Sequence, residues 1–252
     1  MLLAAIAETF WPAIPFPDRR TRWQHVFLNL KVNILISGIS VVFSAPTIEL
    51  AQWSFGGKYT FIAMLKSLNW ASGTIGLLVL TILYDFLNYW IHRVQHIFPI
   101  LWRIHRIHHA DRYLDFSSAL RFHPIEFVFR FIIQSTVIAV VGLPPAVITT
   151  YQIWVIVALI FSHANFTVPG RLAQMLGTIL VLPNYHRIHH SEKRLEHDSN
   201  YSIGCMIWDH LLQTFTAPDQ SEKFTMGLPE YSKPESLGSI LGDPFVTTVL
   251  DQ

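Results

Sequence analysis

The chain has 252 residues, of which 51% are hydrophobic and only 14% charged; an ordinary soluble domain carries roughly 25% charged residues, so the composition points to a membrane protein. A net charge of +1 supplies no basic stripe for nucleic acid. The single cysteine, Cys205, excludes an internal disulfide, a cysteine-rich zinc site and a cysteine-ligated iron–sulfur cluster, so a bound metal must be held by nitrogen and oxygen.

In chain order, residues 1–17 are apolar but interrupted by Glu8, Pro12, Pro15 and Pro17, too broken to span a bilayer. They lack the basic opening and cleavage site of a signal peptide. The stretch is expected to lie at the membrane interface, anchored by Phe10 and Trp11, with His25 also interfacial. Arg19, Arg20 and Arg22 precede a first span over about 26–45, whose Lys31 is able to snorkel. Residues 46–69, with Pro46, Gly56 and Gly57, read as a loop, and a second span over about 70–91 leads directly into His92. Two further apolar runs, 125–141 and 144–163, are separated by Gly142-Leu143-Pro144-Pro145, a helical hairpin signal. Residues 171–182 make a shorter apolar helix, and the tail from about 217 reads as irregular. The expected fold is all-α, a single membrane-embedded domain over 1–252, with about four spans in a helical bundle and a helical cap on the cytoplasmic side. With four spans, 19–25, 92–123 and 164–252 share one face, and nearly every Lys and Arg lies there, against Lys58 and Lys66 on the other. The positive-inside rule makes that face, and both termini, cytoplasmic.

On this same face sit two histidine clusters. Residues 89–111 hold His92, His96, His105, His108 and His109, and PNYHRIHHSE at 183–192 repeats the string HRIHH with His186, His189 and His190. Spacings of three and four put imidazoles on one helix face, about 5–6 Å apart at Cβ. Neutral imidazole is the commonest protein metal ligand. One histidine is usually a packed or surface residue, but eight in helical-spaced groups on one side of a membrane define a metal site. Nitrogen ligands suit zinc, copper, iron or nickel alike. The eight, with His163 as a ninth, are twice what one zinc needs, so two metals are the economical reading. Two irons would activate dioxygen, two zincs would activate water for hydrolysis. A site at membrane level favours an apolar substrate arriving from the lipid.

The strings DFLNYWIHRVQH (85–96), LWRIHRIHHAD (101–111), ALRFHPIE (119–126), HANF (163–166), PNYHRIHHSE (183–192), DSNY (198–201) and WDHLLQTF (208–215) resemble the fatty acid hydroxylase/sterol desaturase superfamily over about 80–220. Three histidine boxes, HxxxH, HxxHH and HxxHH, carry the likeness. The resemblance implies an integral-membrane, non-haem di-iron oxygenase that uses O2 and external electrons to hydroxylate or desaturate a lipid C–H bond, sterol or fatty-acyl in type. It implies that His92, His96, His105, His108, His109, His186, His189 and His190 are the box ligands, and His163 the extra one. Two departures stand out: Ser202 where the family usually has glycine after NY, and Trp208-Asp209-His210-Leu211-Leu212-Gln213-Thr214 where it has WDxxFGT.

Behind the ligands, Asp85 lies two helical turns before His92 and is expected to accept an imidazole N–H; Asp198 and Asn200 are expected to do the same from the other side. His123, before Pro124, matches the family's RxHP string outside the boxes and is grouped with them, while His197 and His210 match no family histidine. There is no G-x-G-x-x-G fingerprint for a nicotinamide or flavin. Electrons are therefore expected from an external ferredoxin, cytochrome b5 or reductase. A membrane zinc hydrolase, or a metal-binding membrane protein without catalysis, is the competing class.

Overall fold

In a computed structural model, the described residues are 2–57, 61, 73–218, 224–229, 231 and 236–246, and they are all-helical apart from isolated bridges. Among the described residues, four helices are long and apolar enough to cross a membrane. The chain begins with α1 (Leu2–Phe10) and α2 (Arg19–Gly56), the latter capped at Asp18, whose carboxylate accepts from the Thr21 amide. At 1.5 Å per residue the 38 residues of α2 extend roughly 57 Å, beyond the hydrocarbon thickness of about 30 Å. The expected span 26–45 falls inside it, but the loop expected from Pro46 does not form there: α2 stays helical to Gly56. Pro46 removes only one ladder donor. Beside it the Thr47 hydroxyl donates to Phe43 O at 2.7 Å, and Ser54 Oγ, eight residues on, donates to Ile138 O at 3.1 Å, so the buried face continues past the proline. Residues 58–60 and 62–72, including Lys58, Lys66 and the expected start of the second span, lie outside the described residues.

The second spanning helix, α3 (Thr74–Ile97), carries the first histidine box on its last turns. Phe98 adopts the β conformation favoured before a proline, ending α3, and α4 (Pro99–His109) starts at Pro99. A 3-10 turn at Phe116–Leu120, closed by a capping box at Asp115, leads to α5 (Pro124–Val141) and α6 (Pro145–His163). Between these two, Gly142 takes φ +77°, the left-handed value that terminates a helix, and Pro145 opens the next. The turn of the expected hairpin is thus present, but its two helices pack chiefly on other elements, α5 on α2 and α6 on α3, and not tightly on each other.

The helix expected over 171–182 is shorter, α7 (Gly170–Leu176), and ends at Gly177 because the Tyr185 ring packs where a side chain would be. Short helices α8 (Pro183–His189), α9 (Arg194–His197) and α10 (Ile207–Leu211) follow. The described part of the tail, expected to be irregular, includes helical turns. Helix α11 (Leu237–Gly242) and a 3-10 turn at Asp243–Phe245 fold back, burying Ile240 against Val32, Ile36 and Ile107, and Asp243 Oδ2 accepts from Arg106 Nε at 2.9 Å.

The far end of the bundle is apolar: Ala51, Leu80, Tyr84, Ile138, Leu143, Val147, Ile148 and Tyr151 close together from all four long helices and the α5–α6 connection. Their outer faces expose Ile34, Val41, Ile75, Leu78, Ile132 and Ile153. A water-soluble monomer does not present apolar surface of that extent, whereas lipid accepts it. The near end is polar. There α2 grips the turn after α4: His25 Nε2 lies 2.7 Å from Asp111, Asn29 Nδ2 donates to Asp111 and Ser117, and Arg121 donates to Asn29 Oδ1 and Ile107 O. His25 is part of this network, where Asp111 and Asp115 supply acceptors for its imidazole.

Helix α1 docks through one buried carboxyl. Glu8 Oε1 accepts from the amides of Phe116 at 2.8 Å and Asn165 at 2.9 Å. Burial pushes the Glu8 carboxyl up from 4.5 to about 7, against the opposing pull of the Asn165 amide. Because the folded value is the higher one, docking of α1 is strongest below pH 4.5 and weakens as the pH rises through about 7, by up to about 3 kcal/mol. The protection of the Phe116 and Asn165 amides, exchange rate corrected for its intrinsic base catalysis, is expected to fall between pH 6 and 8 in the wild-type protein and to stay constant with pH in Glu8→Gln; equal protection profiles would refute this coupling.

Candidate metal centre

The four spanning helices meet at their polar end, and the histidines sit at or beyond it. His92 and His96 occupy the C-terminal turns of α3, His105, His108 and His109 lie on α4, His163 is the last residue of α6, and His186, His189 and His190 lie on α8 and its cap. A spacing of four on α3, and of three and four on α4 and α8, turns each set toward the interior of the helical cap. All nine histidines proposed from the sequence are buried, and they fall into two groups: His92, His96, His105, His109 and His189; and His108, His163, His186 and His190. Within each group the ligand nitrogens all lie within 4.8 Å of one another. His108 and His109 are adjacent yet feed different groups, so α4 is the shared wall between them. So is α8, through His189 on one side and His186 and His190 on the other.

The ring orientations fix which nitrogen faces inward. His92 Nδ1 donates to Tyr201 O at 2.6 Å and His189 Nδ1 to Ser199 O at 2.7 Å. His105 Nδ1 donates to Glu126 Oε1 at 3.1 Å, His96 Nδ1 to Asp198 Oδ1 at 3.3 Å, and His163 Nδ1 to Leu159 O at 2.8 Å. A neutral imidazole with its proton on Nδ1 presents a bare lone pair at Nε2. These lone pairs converge: Nε2 of His92 lies 3.0 Å from that of His189 and 3.1 Å from that of His105, and Nε2 of His163 lies 3.1 Å from those of His108 and His186.

Lone pairs facing one another at such distances repel unless a cation lies between them. Two imidazoles at right angles on a metal about 2.1 Å away stand about 3.0 Å apart, so the arrangement fits two metal ions. Burial, reinforced by the neighbouring imidazoles, drives His108, His109, His186 and His190 well below the usual histidine value, and burial does the same to His189. The rings are therefore neutral ligands at physiological pH. Trp102 forms part of the wall, its ring 5.0 Å from His96 and 5.2 Å from His109, and stacks on His197 at 5.2 Å.

The segment 198–202 acts as a strap that delivers three of these acceptors. Asn200 takes φ +51°, letting the carbonyls of Ser199 and Tyr201 reach two different histidines, and its amide is tied to Tyr185 O and Thr216 O. Asp209 holds the strap from behind, accepting from the amides of Tyr201 at 2.9 Å and Ser202 at 2.8 Å and from the Thr214 hydroxyl. The family departure at Ser202 is accommodated because that residue is bound through its backbone.

Other expectations need correction. Asp85 touches no imidazole: its carboxylate accepts from Tyr151 Oη, Trp208 Nε1 and the Cys205 amide, and so braces the strap's far end, where a side chain at Gly204 would collide with it. The two helical turns between Asp85 and His92 place the carboxylate too deep to reach the site. Asn200 likewise bonds backbone only, while Asp198 does reach His96. His123 is the N-cap of α5, its Nδ1 accepting from the Ile125 amide and its Nε2 lying 3.2 Å from Leu241 O; it belongs to neither group. His197 and His210 also stand outside both groups.

Sequence reasoning passed over Glu126 and Asp209. Glu126 lies in the quoted ALRFHPIE string, in the first turn of an apolar helix where an unpaired carboxylate is costly, and that cost was the signal. It is fully buried and is shared between His105 and Arg130, whose Nε donates to it at 3.1 Å.

Two buried, all-imidazole groups at one end of a bundle of apolar helices, each able to hold a metal ion, are the arrangement expected of a membrane metalloprotein. Residues 77–214 match the family described as fatty acid hydroxylase, and the chain belongs to that family. It is similar to alkylglycerol monooxygenase of Homo sapiens, 31% identical over 167 residues that make up 64% of this chain and 33% of the relative. Ornithine lipid hydroxylase OlsE of Rhizobium tropici is 30% identical over 146 residues, 57% of this chain and 43% of the relative. Very-long-chain aldehyde decarbonylase GL1-6 of Oryza sativa subsp. japonica is 25% identical over 211 residues, 78% of this chain and 29% of the relative. The chain thus spans well under half the length of these curated relatives. No solved structure matches it.

Proposed function

We propose that this protein is a membrane-bound di-iron lipid monooxygenase that hydroxylates an alkyl C–H bond of a lipid. The observation that carries the proposal is the pair of converging imidazole groups at the polar end of four apolar helices. The superfamily is known for non-haem iron, and two of the relatives bear the names of a lipid monooxygenase and a lipid hydroxylase. Those names favour hydroxylation over desaturation, and they suggest a lipid with a polar head and an alkyl chain, such as an alkylglycerol or an acylated amino-acid lipid, rather than a sterol.

His92, His96, His105, His109 and His189 would hold one iron, and His108, His163, His186 and His190 the other. When bound, the irons would supply dioxygen activation: one oxygen atom enters the C–H bond and the other leaves as water, with two electrons and two protons taken up. The protein's own contribution is positional. Nδ1–H donation to Tyr201, Ser199, Leu159, Glu126 and Asp198 fixes five rings with Nε2 inward. Burial keeps bulk water from the centre, and the exposed apolar flanks of the spans let a lipid approach from the bilayer. These 252 residues hold one cysteine and no fingerprint for a flavin or nicotinamide, and the proposal takes the electrons from a donor of ferredoxin, cytochrome b5 or reductase type. Arg19, Arg20 and Arg22 at the site's end of α2 support a cytoplasmic location for that end.

The test is metal and product together. Detergent-purified wild-type protein is expected to hold close to two irons per chain, falling sharply in His108→Ala. Inside-out vesicles given O2, an alkylglycerol and an impermeant reduced donor are expected to form an alcohol. Zinc alone, with no iron taken up on reconstitution and no O2 consumed, would overturn the oxygenase reading in favour of a hydrolase or metal-binding role.

A further inference from the structure

The two imidazole groups are not equivalent in what stands behind them. In the five-histidine group, four rings have their outer nitrogen held by oxygen: His92 by Tyr201 O, His189 by Ser199 O, His105 by Glu126 and His96 by Asp198. Two of those acceptors are carboxylates. In the four-histidine group only His163 is so held, by a carbonyl of its own helix, and the Nδ1 atoms of His108, His186 and His190 are buried without a protein partner.

Such differences act on metal affinity in two ways. An acceptor on Nδ1 fixes the ring before the metal arrives, so less rotational freedom is lost on binding. A carboxylate acceptor also makes the imidazole more basic and sets negative charge near a dication. Loss of one such partner typically costs 10–100-fold in metal affinity or activity. The five-histidine group has three more anchored rings, two of them on carboxylates, and one more ligand.

Resting on the di-iron reading above, we propose that the protein has one tightly held and one exchangeable metal position. The five-histidine group retains its ion, and Glu126 and Asp198 are the positioning residues that make it do so. The four-histidine group loads last and empties first, and with one ligand fewer it is the position with room for a non-protein ligand. Neither carboxylate touches a metal in this scheme; both act through a ring.

The experiment is chelator-driven release from the full-length protein loaded anaerobically with ferrous iron in detergent, read as iron per chain against time. Wild type is expected to lose one ion at least tenfold faster than the other. A His186→Ala protein is expected to show the slow phase alone. Glu126→Gln, which keeps the shape but removes the charge, and Asp198→Asn, which does the same at a partly exposed position, are each expected to speed the slow phase by about 10-fold or more and to leave the fast phase unchanged. Loss of both ions in a single phase, or acceleration confined to the fast phase, would overturn the inference while leaving the di-iron reading intact. Failure of the wild-type protein to bind iron at all would instead overturn that reading.

Discussion

Replacing His163 with alanine is expected to reduce hydroxylation by a hundredfold or more and to leave one metal ion per chain where the wild type has two. His163 is the one ligand of the nine outside the three boxes, and it stands at the hinge of its group. Its Nε2 is 3.1 Å from both His108 and His186, and its Nδ1–H is committed to Leu159 O, so no other atom of the ring points inward. Without it the group has three imidazoles, none of which is oriented by a protein acceptor. Loss of an outer partner alone typically costs 10–100-fold, and loss of the inner ligand that orders the rest costs more. Helix α6 should be undisturbed, because His163 is its last residue. The check is iron content and product formation with helicity measured alongside; a His163→Ala protein with two ions and near wild-type turnover would show that His163 is not a ligand of the second group.

Asp209→Ala is expected to do comparable damage from outside the site. Its carboxylate is fully buried and satisfies two backbone amides, those of Tyr201 and Ser202, and the Thr214 hydroxyl. Leaving buried donors unpaired costs roughly 1–3 kcal/mol each, so a loss of about 3–5 kcal/mol is expected. The strap then no longer holds the carbonyls of Ser199 and Tyr201 against His189 and His92. The expected result is a lower unfolding temperature together with loss of the more tightly held metal ion. Asp209→Asn, which retains one acceptor oxygen, should lie between. A stable Asp209→Ala protein with full metal content would mean that the strap is held by Asn200 and Asp85 without it.

These expectations separate what composition and spacing dictate from what packing dictates. A run of apolar residues long enough to cross hydrocarbon must form its hydrogen bonds within itself, so the four spanning helices could be read directly from the chain. Histidines three and four apart on a helix must share a face, so all nine candidate ligands were recognisable, and the proline and glycine at 142–145 marked the α5–α6 turn for the same local reason.

Local rules did not place what lies behind the ligands. Pro46 was a reason to end α2, yet the helix continues because a distant partner, the Ile138 carbonyl, rewards a buried Ser54. Asp85 shares a helix face with His92, but facing is not reaching, and its carboxylate serves the strap instead. Except for Leu159, four residues from His163 on its own helix, which ring each acceptor serves depends on segments 10 to 109 residues apart being brought together, as Tyr201 is to His92 and Ser199 to His189. The division of nine equivalent-looking histidines into groups of five and four, which separates the neighbours His108 and His109, was likewise decided in three dimensions. Helical periodicity is a property of one segment and determined the elements and the ligand set. The pairing of rings with acceptors is a property of several segments packed at once, and only the tertiary structure decided it.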